Sequence, residues 1–157
     1  MAQIDAKPPK NELYDADFYE WTREQARLLR ERRWTDLDLD NLVDEVAGVG
    51  GSEKREIRNR MEVLLAHLLK WQFQPGRRGP SWQKTIREQR RQLAAIVEDS
   101  PSLAGYVEKQ AVERYLGATL GAADDTGMAV GLFPEQCPFT PEQVLDPDFF
   151  PEDRGIE

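Results

Sequence analysis

The segment of residues 52–74 constrains the fold more than any other, because its apolar residues recur at the spacing of an α-helix. One face of that helix carries Ile57, Met61, Leu64, Leu65 and Leu68. The opposite side is apolar as well, with Val63, Ala66 and Leu69. A helix that is apolar on most sides is buried on most sides. The segment therefore predicts the central helix of an all-α protein.

Two helices are predicted before the central one. Asp15 or Asp17 can cap the first, which runs to about Arg33 with its apolar residues on one face. The second contains Leu39, Leu42, Val43 and Val46 at helical spacing. The glycines of the stretch GVGGS favour a helix end. We therefore expect the second helix to stop there and Ser52 to begin the central helix.

Two further helices and a folded tail are predicted after the central helix. The loop of residues 75–80 leads to a helix that is capped by Ser81 and runs to about Asp99. The last long helix follows Pro101 and ends at Gly127. The tail is expected to fold back onto the bundle, because a free tail would expose its large apolar side chains. These side chains are Leu132, Phe133, Phe139, Leu145, Phe149 and Phe150.

The domain organisation that follows is a single-domain bundle of about five main helices over residues 14–150. A length of 157 residues suits one domain with one core. Residues 1–13 are polar and contain two adjacent prolines, which favours a flexible N-terminal arm. Residues 151–157 form the C-terminal end.

The sequence carries no signal for export or membrane insertion, and we expect a cytoplasmic protein. Its only cysteine, Cys137, excludes an internal disulfide and suits a reducing compartment. The first 18 residues contain no apolar core of signal-peptide length. The longest apolar run, residues 63–69, is too short to cross a bilayer, and the acidic outer faces of the helices would be repelled by anionic lipid. A membrane is therefore not an expected partner.

A basic and aromatic segment interrupts an otherwise acidic chain. Residues 70–91, called the basic island below, hold seven of the 21 lysines and arginines, one acid and two of the four tryptophans. The net formal charge of the basic island is +6, whereas that of the whole chain is −8. The overall charge argues against a protein that coats nucleic acid through its total field, but it permits a local cationic surface.

Helix geometry directs part of the basic island outward. At about 100° per residue, the helix from Ser81 directs Trp82 and Ile86 inward. Its outward cations are then Lys84, Arg87 and Arg91, with Arg90 at their flank. Arginine can bind phosphate or carboxylate through two hydrogen bonds, and tryptophan can stack on bases. The predicted partner-binding residues are Trp71, Arg77, Arg78, Trp82, Lys84, Arg87, Arg90 and Arg91.

These residues favour a non-enzymatic binding or regulatory module for an acidic partner, either a protein surface or a nucleic-acid backbone. Three alternatives stay open. The simplest is that the arginines pair internally with acids of the C-terminal third. Those acids are Glu98, Asp99, Asp124 and Asp125. In the second, the basic face meets the acidic face of another copy in a homo-oligomer. In the third, the protein is an enzyme in which His67 and the arginines hold a phosphate-bearing substrate.

No catalytic, metal-binding or cofactor-binding motif is present. His67 is the only histidine, and no spaced histidine or glutamate completes a metal site with it. The alternating acids of DLDLD lack the glycine and the terminal glutamate of a calcium loop. The glycines of GVGGS lack the lysine and the preceding strand of a phosphate loop. Packing is the simplest role for Cys137. We therefore predict no catalytic residue, no metal and no cofactor.

Five sequence blocks follow one another in a fixed order between Leu13 and Phe149. They are LYDADFYEWTREQARLLRERRWTDLDLDNLVDEV, LLAHLLKWQFQP, SWQKTIREQRRQL, EDSPSL and FPEQCPFTPEQVLD. Together they resemble the bacterial family called domain of unknown function 29, which is common in cyanobacteria and also occurs in proteobacteria. The resemblance implies a compact, mostly helical cytoplasmic protein, and it implies no activity, cofactor or catalytic residue. The glycine-rich stretch GVGGSEKRE departs from it, since a more helical and more charged connection is expected there.

Overall fold

Residues 12–154 are described by a computed structural model, and every regular element among them is helical, as the sequence predicts. The α-helices are α1 (Glu12–Ala16), α2 (Phe18–Arg30), α3 (Leu39–Phe73), α4 (Pro80–Asp99), α5 (Ala104–Glu113), α6 (Tyr115–Thr126) and α7 (Pro141–Leu145). Five of these helices, α2 to α6, have at least ten residues, which matches the predicted number of main helices. Within the described residues, no helix combines the length and the apolar character that crossing a membrane requires.

The chain divides into two compact units, and the boundary lies between Ser52 and Glu53, inside α3. The first unit contains α1, α2 and the beginning of α3. The second contains the rest of α3 and the later helices. Residues 1–11 of the predicted flexible arm lie outside the described residues, whereas Glu12 and Leu13 belong to α1. Residues 155–157 also lie outside them. A single domain over residues 14–150 stays a prediction.

A buried tryptophan organises the first unit. Asp17 caps α2, because its side chain accepts a hydrogen bond from the backbone N–H of Glu20 at 2.9 Å. One turn later, Trp21 is 2 % exposed and its indole N–H donates to the carboxylate of Asp38 at 2.9 Å. The backbone N–H of Asp38 donates in turn to the side chain of Gln25 at 2.8 Å. Buried polar groups that are paired in this way fix α2 to the segment that begins α3.

α3 runs without interruption through the glycine-rich stretch, so the predicted helix end there is wrong. Gly48, Gly50 and Gly51 lie inside a helix of 35 residues. A glycine that ends a helix adopts a left-handed conformation, and the only described glycine with positive φ is Gly127. The three glycines cost about 1 kcal/mol each relative to alanine, but they do not break the helix. The prediction failed because glycine permits a helix end without requiring one.

The second half of α3 forms the centre of the second unit, as predicted. Its fully buried side chains are Ile57, Met61, Leu64, Leu65, Leu68 and Leu69. They pack in one cluster with Ile86 and Leu93 of α4, Val107 of α5 and Ala118 of α6. Burying a side chain of leucine size contributes about 1.5–3 kcal/mol, so this face of α3 contributes much of the free energy of folding.

Two helix boundaries after α3 differ from the prediction. α4 begins at Pro80 with Gly79 as its cap residue, so Ser81 lies in the first turn and does not cap the helix. Proline suits the first position, because an N–H group there would lack a partner within the helix. The predicted last long helix is divided at Arg114 into α5 and α6. α6 ends at Gly127, as predicted, and the φ of Gly127 is 73°.

The tail folds against the second unit, as predicted. Thr140 caps α7 and exchanges hydrogen bonds with Gln143, which forms a capping box. Most of the predicted apolar anchors are buried or pack against the core, namely Phe133, Phe139, Leu145, Phe149 and Phe150. Leu132 is 47 % exposed, so its predicted anchoring role is wrong.

Replacing Gly50 or Gly51 with alanine is expected to stabilise the protein by about 0.5–1 kcal/mol at each position. The reason is that a helical backbone favours alanine, and an added Cβ meets no atom within 4 Å at either position. Gly127→Ala is the control, and its positive φ is expected to make that substitution destabilising by about 1 kcal/mol or more. Denaturant unfolding measures all three variants. Destabilisation at residues 50 and 51 would contradict a continuous α3.

Candidate functional site

The structure divides the cations of the basic island into two groups. Three of them contact other parts of the second unit: Lys70, Arg78 and Arg90. Four of them are exposed: Arg77, Lys84, Arg87 and Arg91. The division decides which of the predicted residues are accessible to a partner.

Arg90 is 4 % exposed, so its predicted place at the flank of the outward face is wrong. Its guanidinium donates to three backbone carbonyls of the tail, those of Val144 at 2.8 Å, Phe149 at 2.8 Å and Gln143 at 3.3 Å. Its Cζ also lies 5.6 Å from the ring centre of Phe150. No described carboxylate forms an ion pair with Arg90, and burial lowers its pKa to about 10. The side chain therefore remains a cation and holds the tail against α4.

Lys70 is also buried, with 6 % of its surface exposed. Its Nζ pairs with the carboxylate of Asp125 at 3.0 Å and lies 5.1 Å from the ring centre of Trp82. Asp125 is one of the four acids expected as internal partners, and Lys70 is the cation that it neutralises. Among the described residues, the other three acids form no ion pair with the basic island: Glu98, Asp99 and Asp124. Of these four acids, only Asp125 therefore pairs with a cation of the basic island, and that cation is a lysine.

Arg78 binds the end of α3. Its Nε donates to the backbone carbonyl of Trp71 at 2.7 Å, and its guanidinium carbon lies 5.1 Å from the centre of the Trp71 ring. The Trp71 ring also packs on Phe150, with 4.9 Å between ring centres. Both tryptophans of the basic island therefore contact internal cations, Trp71 with Arg78 and Trp82 with Lys70. A cation over an aromatic ring contributes about 0.5–2 kcal/mol, depending on its exposure to water.

The exposed cations lie along α4 and the loop before it. Arg91 pairs with Glu88 at 2.8 Å. The hydrogen bonds that Glu88 accepts from Arg91 and Gln92 lower the pKa of Glu88 to about 2. No ion pair or hydrogen bond joins the side chains of the other three cations to the rest of the described chain: Arg77, Lys84 and Arg87.

The N-terminus of α4 lies between Arg77 and Lys84 in the sequence. Gly79 is its cap residue, and no side chain accepts a hydrogen bond from the first turn. The N–H groups of that turn carry the partial positive charge of the helix dipole. This end of α4 therefore adds to the positive potential of the exposed cations.

His67 lines a groove of about 350 Å³ on the second unit, together with Asn59, Glu62 and Asp125. The Nδ1 atom of His67 lies 2.8 Å from the carbonyl oxygen of Val63. Because that carbonyl can only accept, we assign the proton to Nδ1, which leaves the lone pair on Nε2. Burial lowers the pKa of His67 from its usual value of 6.5, so the neutral form predominates at pH 7.

The other wall of this groove is formed by small residues of α6. A Cβ at Gly117 would lie 2.6 Å from a carboxylate oxygen of Glu62, so glycine is required for the observed position of Glu62. No arginine lines the described part of the groove. The predicted enzyme site, in which His67 and the arginines hold a phosphate group, is therefore not assembled there. No group of three or more His, Cys, Asp or Glu side chains within residues 12–154 is arranged to hold a metal ion.

Cys137 is half-buried in the tail, as its predicted packing role requires. Its Sγ lies 3.5 Å from the backbone carbonyl of Phe139, and burial raises the pKa of the thiol. A thiol with a raised pKa carries little thiolate at neutral pH and is a poor nucleophile.

A family model described as Domain of unknown function DUF29 matches residues 13–150. The chain belongs to this family. The DUF29 match covers nearly all of the described residues and confirms the resemblance inferred from the sequence blocks. The comparison with curated proteins finds no match, and neither does the comparison with solved structures. Membership of DUF29 assigns no activity, so the surface itself has to indicate the function.

The sequence of this DUF29 chain contained a signal for the burial of Arg90. Ile86, Arg90 and Leu93 are spaced four and three residues apart, which puts all three on the inward face of α4. An arginine within an apolar stripe indicates that a set of buried acceptors satisfies it. No comparable signal identifies those acceptors, because they are backbone carbonyls more than 50 residues away.

Arg90→Met is expected to destabilise the DUF29 chain by roughly 2–4 kcal/mol, because buried tail carbonyls lose their hydrogen-bond donors. The neighbouring substitution Arg91→Met removes an equal charge from an exposed ion pair and is expected to change stability little. Urea unfolding measures both variants, and limited proteolysis measures release of the tail. Equal stability of the two variants would show that Arg90 does not hold the tail.

Proposed function

We propose that this DUF29 chain is a non-enzymatic binding module whose exposed cations bind an acidic segment of a partner protein. The observation that carries the proposal is the exposure of Arg77, Lys84 and Arg87 without an internal partner among residues 12–154. Complementary charge at the rim of an interface increases the association rate and selects the partner. The three cations that contact other parts of the second unit, Lys70, Arg78 and Arg90, are not counted in this surface.

The arrangement of the exposed cations supports a row of carboxylates as the ligand. Lys84 and Arg87 are three residues apart and therefore lie on one side of α4, about one helical turn from each other. Arg77 lies in the loop before the N-terminus of α4, whose free N–H groups also attract anions. A partner that carries several acids about 5 Å apart, such as an acidic helix, can contact more than one of these cations at once.

Two observations favour an acidic protein over a nucleic acid. Trp71 and Trp82 already contact Arg78 and Lys70, so neither ring is free on both faces for stacking on bases. The net formal charge of the chain is −8, and that field opposes a polyanion with one charge per nucleotide. A short acidic protein segment carries less charge and contacts only the cationic surface.

Fluorescence anisotropy tests the proposal with a labelled helical peptide that carries three glutamates, one on each successive turn of one face. We expect saturable binding that weakens as the salt concentration rises, because exposed ion pairs are screened. The triple variant Arg77→Glu/Lys84→Glu/Arg87→Glu is expected to bind about tenfold more weakly or worse, since three exposed pairs of about 0.5 kcal/mol are lost. Circular dichroism confirms that the variant is folded.

The matched control is Arg23→Glu/Arg55→Glu/Lys109→Glu, which changes the net charge equally at exposed residues elsewhere. The control is expected to retain most of the binding. Equal loss of binding in both triple variants would contradict a defined surface.

A ten-nucleotide DNA strand is titrated in parallel. Tighter binding of that strand than of the peptide would contradict the choice of a protein partner.

A further inference from the structure

The first unit exposes a continuous apolar groove. It has a volume of about 520 Å³ and lies between the end of α2 and the first turns of α3. Its lining consists of Leu29, Leu37, Leu39, Leu42, Val43, Val46 and Ala47. No polar residue is among them. A groove with this lining has no group with which to orient a polar ligand.

The groove is exposed to an extent that is unusual for apolar residues of a monomer. Leu39 is 63 % exposed, Val43 is 58 % exposed and Val46 is 72 % exposed. They recur at intervals of four and three residues, so they form one stripe along α3. Single exposed apolar residues are common, but a contiguous exposed stripe marks a contact surface.

The two segments that form the groove carry exposed charges of opposite sign. On α3, Asp40 and Asp44 directly follow Leu39 and Val43 in the sequence. At the end of α2, Arg30 directly follows Leu29, and Arg32 is three residues after it. All four charged side chains are exposed, and none forms an ion pair or a hydrogen bond with another described residue. We call the two aspartates the acidic rim and the two arginines the basic rim.

We propose that the groove is the interface of a symmetric homodimer. A two-fold axis that runs along the groove brings the same surface of two copies together and exchanges its two sides. The acidic rim of each copy then lies opposite the basic rim of the other, while the two apolar stripes cover each other. A second copy therefore supplies both the apolar surface and the charge pattern that the groove requires. This dimer does not use the basic island, which lies in the second unit.

Sedimentation velocity over a range of protein concentrations tests the dimer. The unaltered chain is expected to dimerise, and Val43→Asp/Val46→Asp is expected to raise the dimer dissociation constant at least about a hundredfold, because charges would be buried without partners. The control is Val112→Asp/Leu116→Asp, two exposed apolar residues of the second unit, which is expected to leave dimerisation unchanged. A chain that stays monomeric at every concentration, or a dimer that resists the change in the groove, would overturn the proposal.

Charge reversal tests the two-fold arrangement separately. Asp40→Lys/Asp44→Lys makes both rims basic, and Arg30→Glu/Arg32→Glu makes both rims acidic. Each variant alone is expected to dimerise at least about tenfold more weakly, because like charges then face each other. Mixing the two variants is expected to restore a dimer, since every rim again faces its opposite. Failure of the mixture to dimerise would exclude this arrangement, and circular dichroism confirms the fold of each variant.

Discussion

The arrangement of the second unit depends on one buried guanidinium without a carboxylate partner. Arg90 donates its hydrogen bonds to backbone carbonyls of the tail, and burial lowers its pKa to about 10 without neutralising it at physiological pH. A buried cation is tolerated only when its hydrogen bonds are satisfied. The tail must therefore stay in place for α4 to bury its inward face. With the tail in place, Val144 and Phe139 are buried beside the core formed by α3.

This constraint changes the meaning of the basic island. Its charge suggested one binding surface. However, three of its seven cations bind groups inside the protein, and each binds a different set of groups. Arg90 binds carbonyls, Lys70 binds a carboxylate and lies over an indole ring, and Arg78 binds a carbonyl and an indole ring. The remaining cations lie along α4 and in the loop before it. The proposed surface is therefore smaller than the sequence suggested.

Most helices could be predicted from the sequence, because apolar periodicity, caps and turn residues act locally. Asp17, Thr140 and Gly127 occupy the capping roles that their residue types predict. The glycine-rich stretch could not be decided in the same way, because glycine is compatible with a helix interior and with its end. The partners of Arg90 could not be predicted from local sequence patterns either. Periodicity gives the direction of a side chain relative to its own helix, whereas the acceptors come from a distant segment. Nor did the sequence show that the valines of α3 remain exposed.

The basic island is divided into cations that bind other parts of the protein and cations that are exposed, and hydrogen exchange of the arginine side chains tests this division. NMR detects the Nε–H group of each arginine, and a group that donates to a buried acceptor exchanges with water only when the structure opens. We expect slow exchange at Arg90 and Arg78, whose Nε atoms donate to backbone carbonyls at 2.8 Å and 2.7 Å. We expect fast exchange at Arg77 and Arg87. Exchange at Arg90 as fast as at Arg87 would contradict this division.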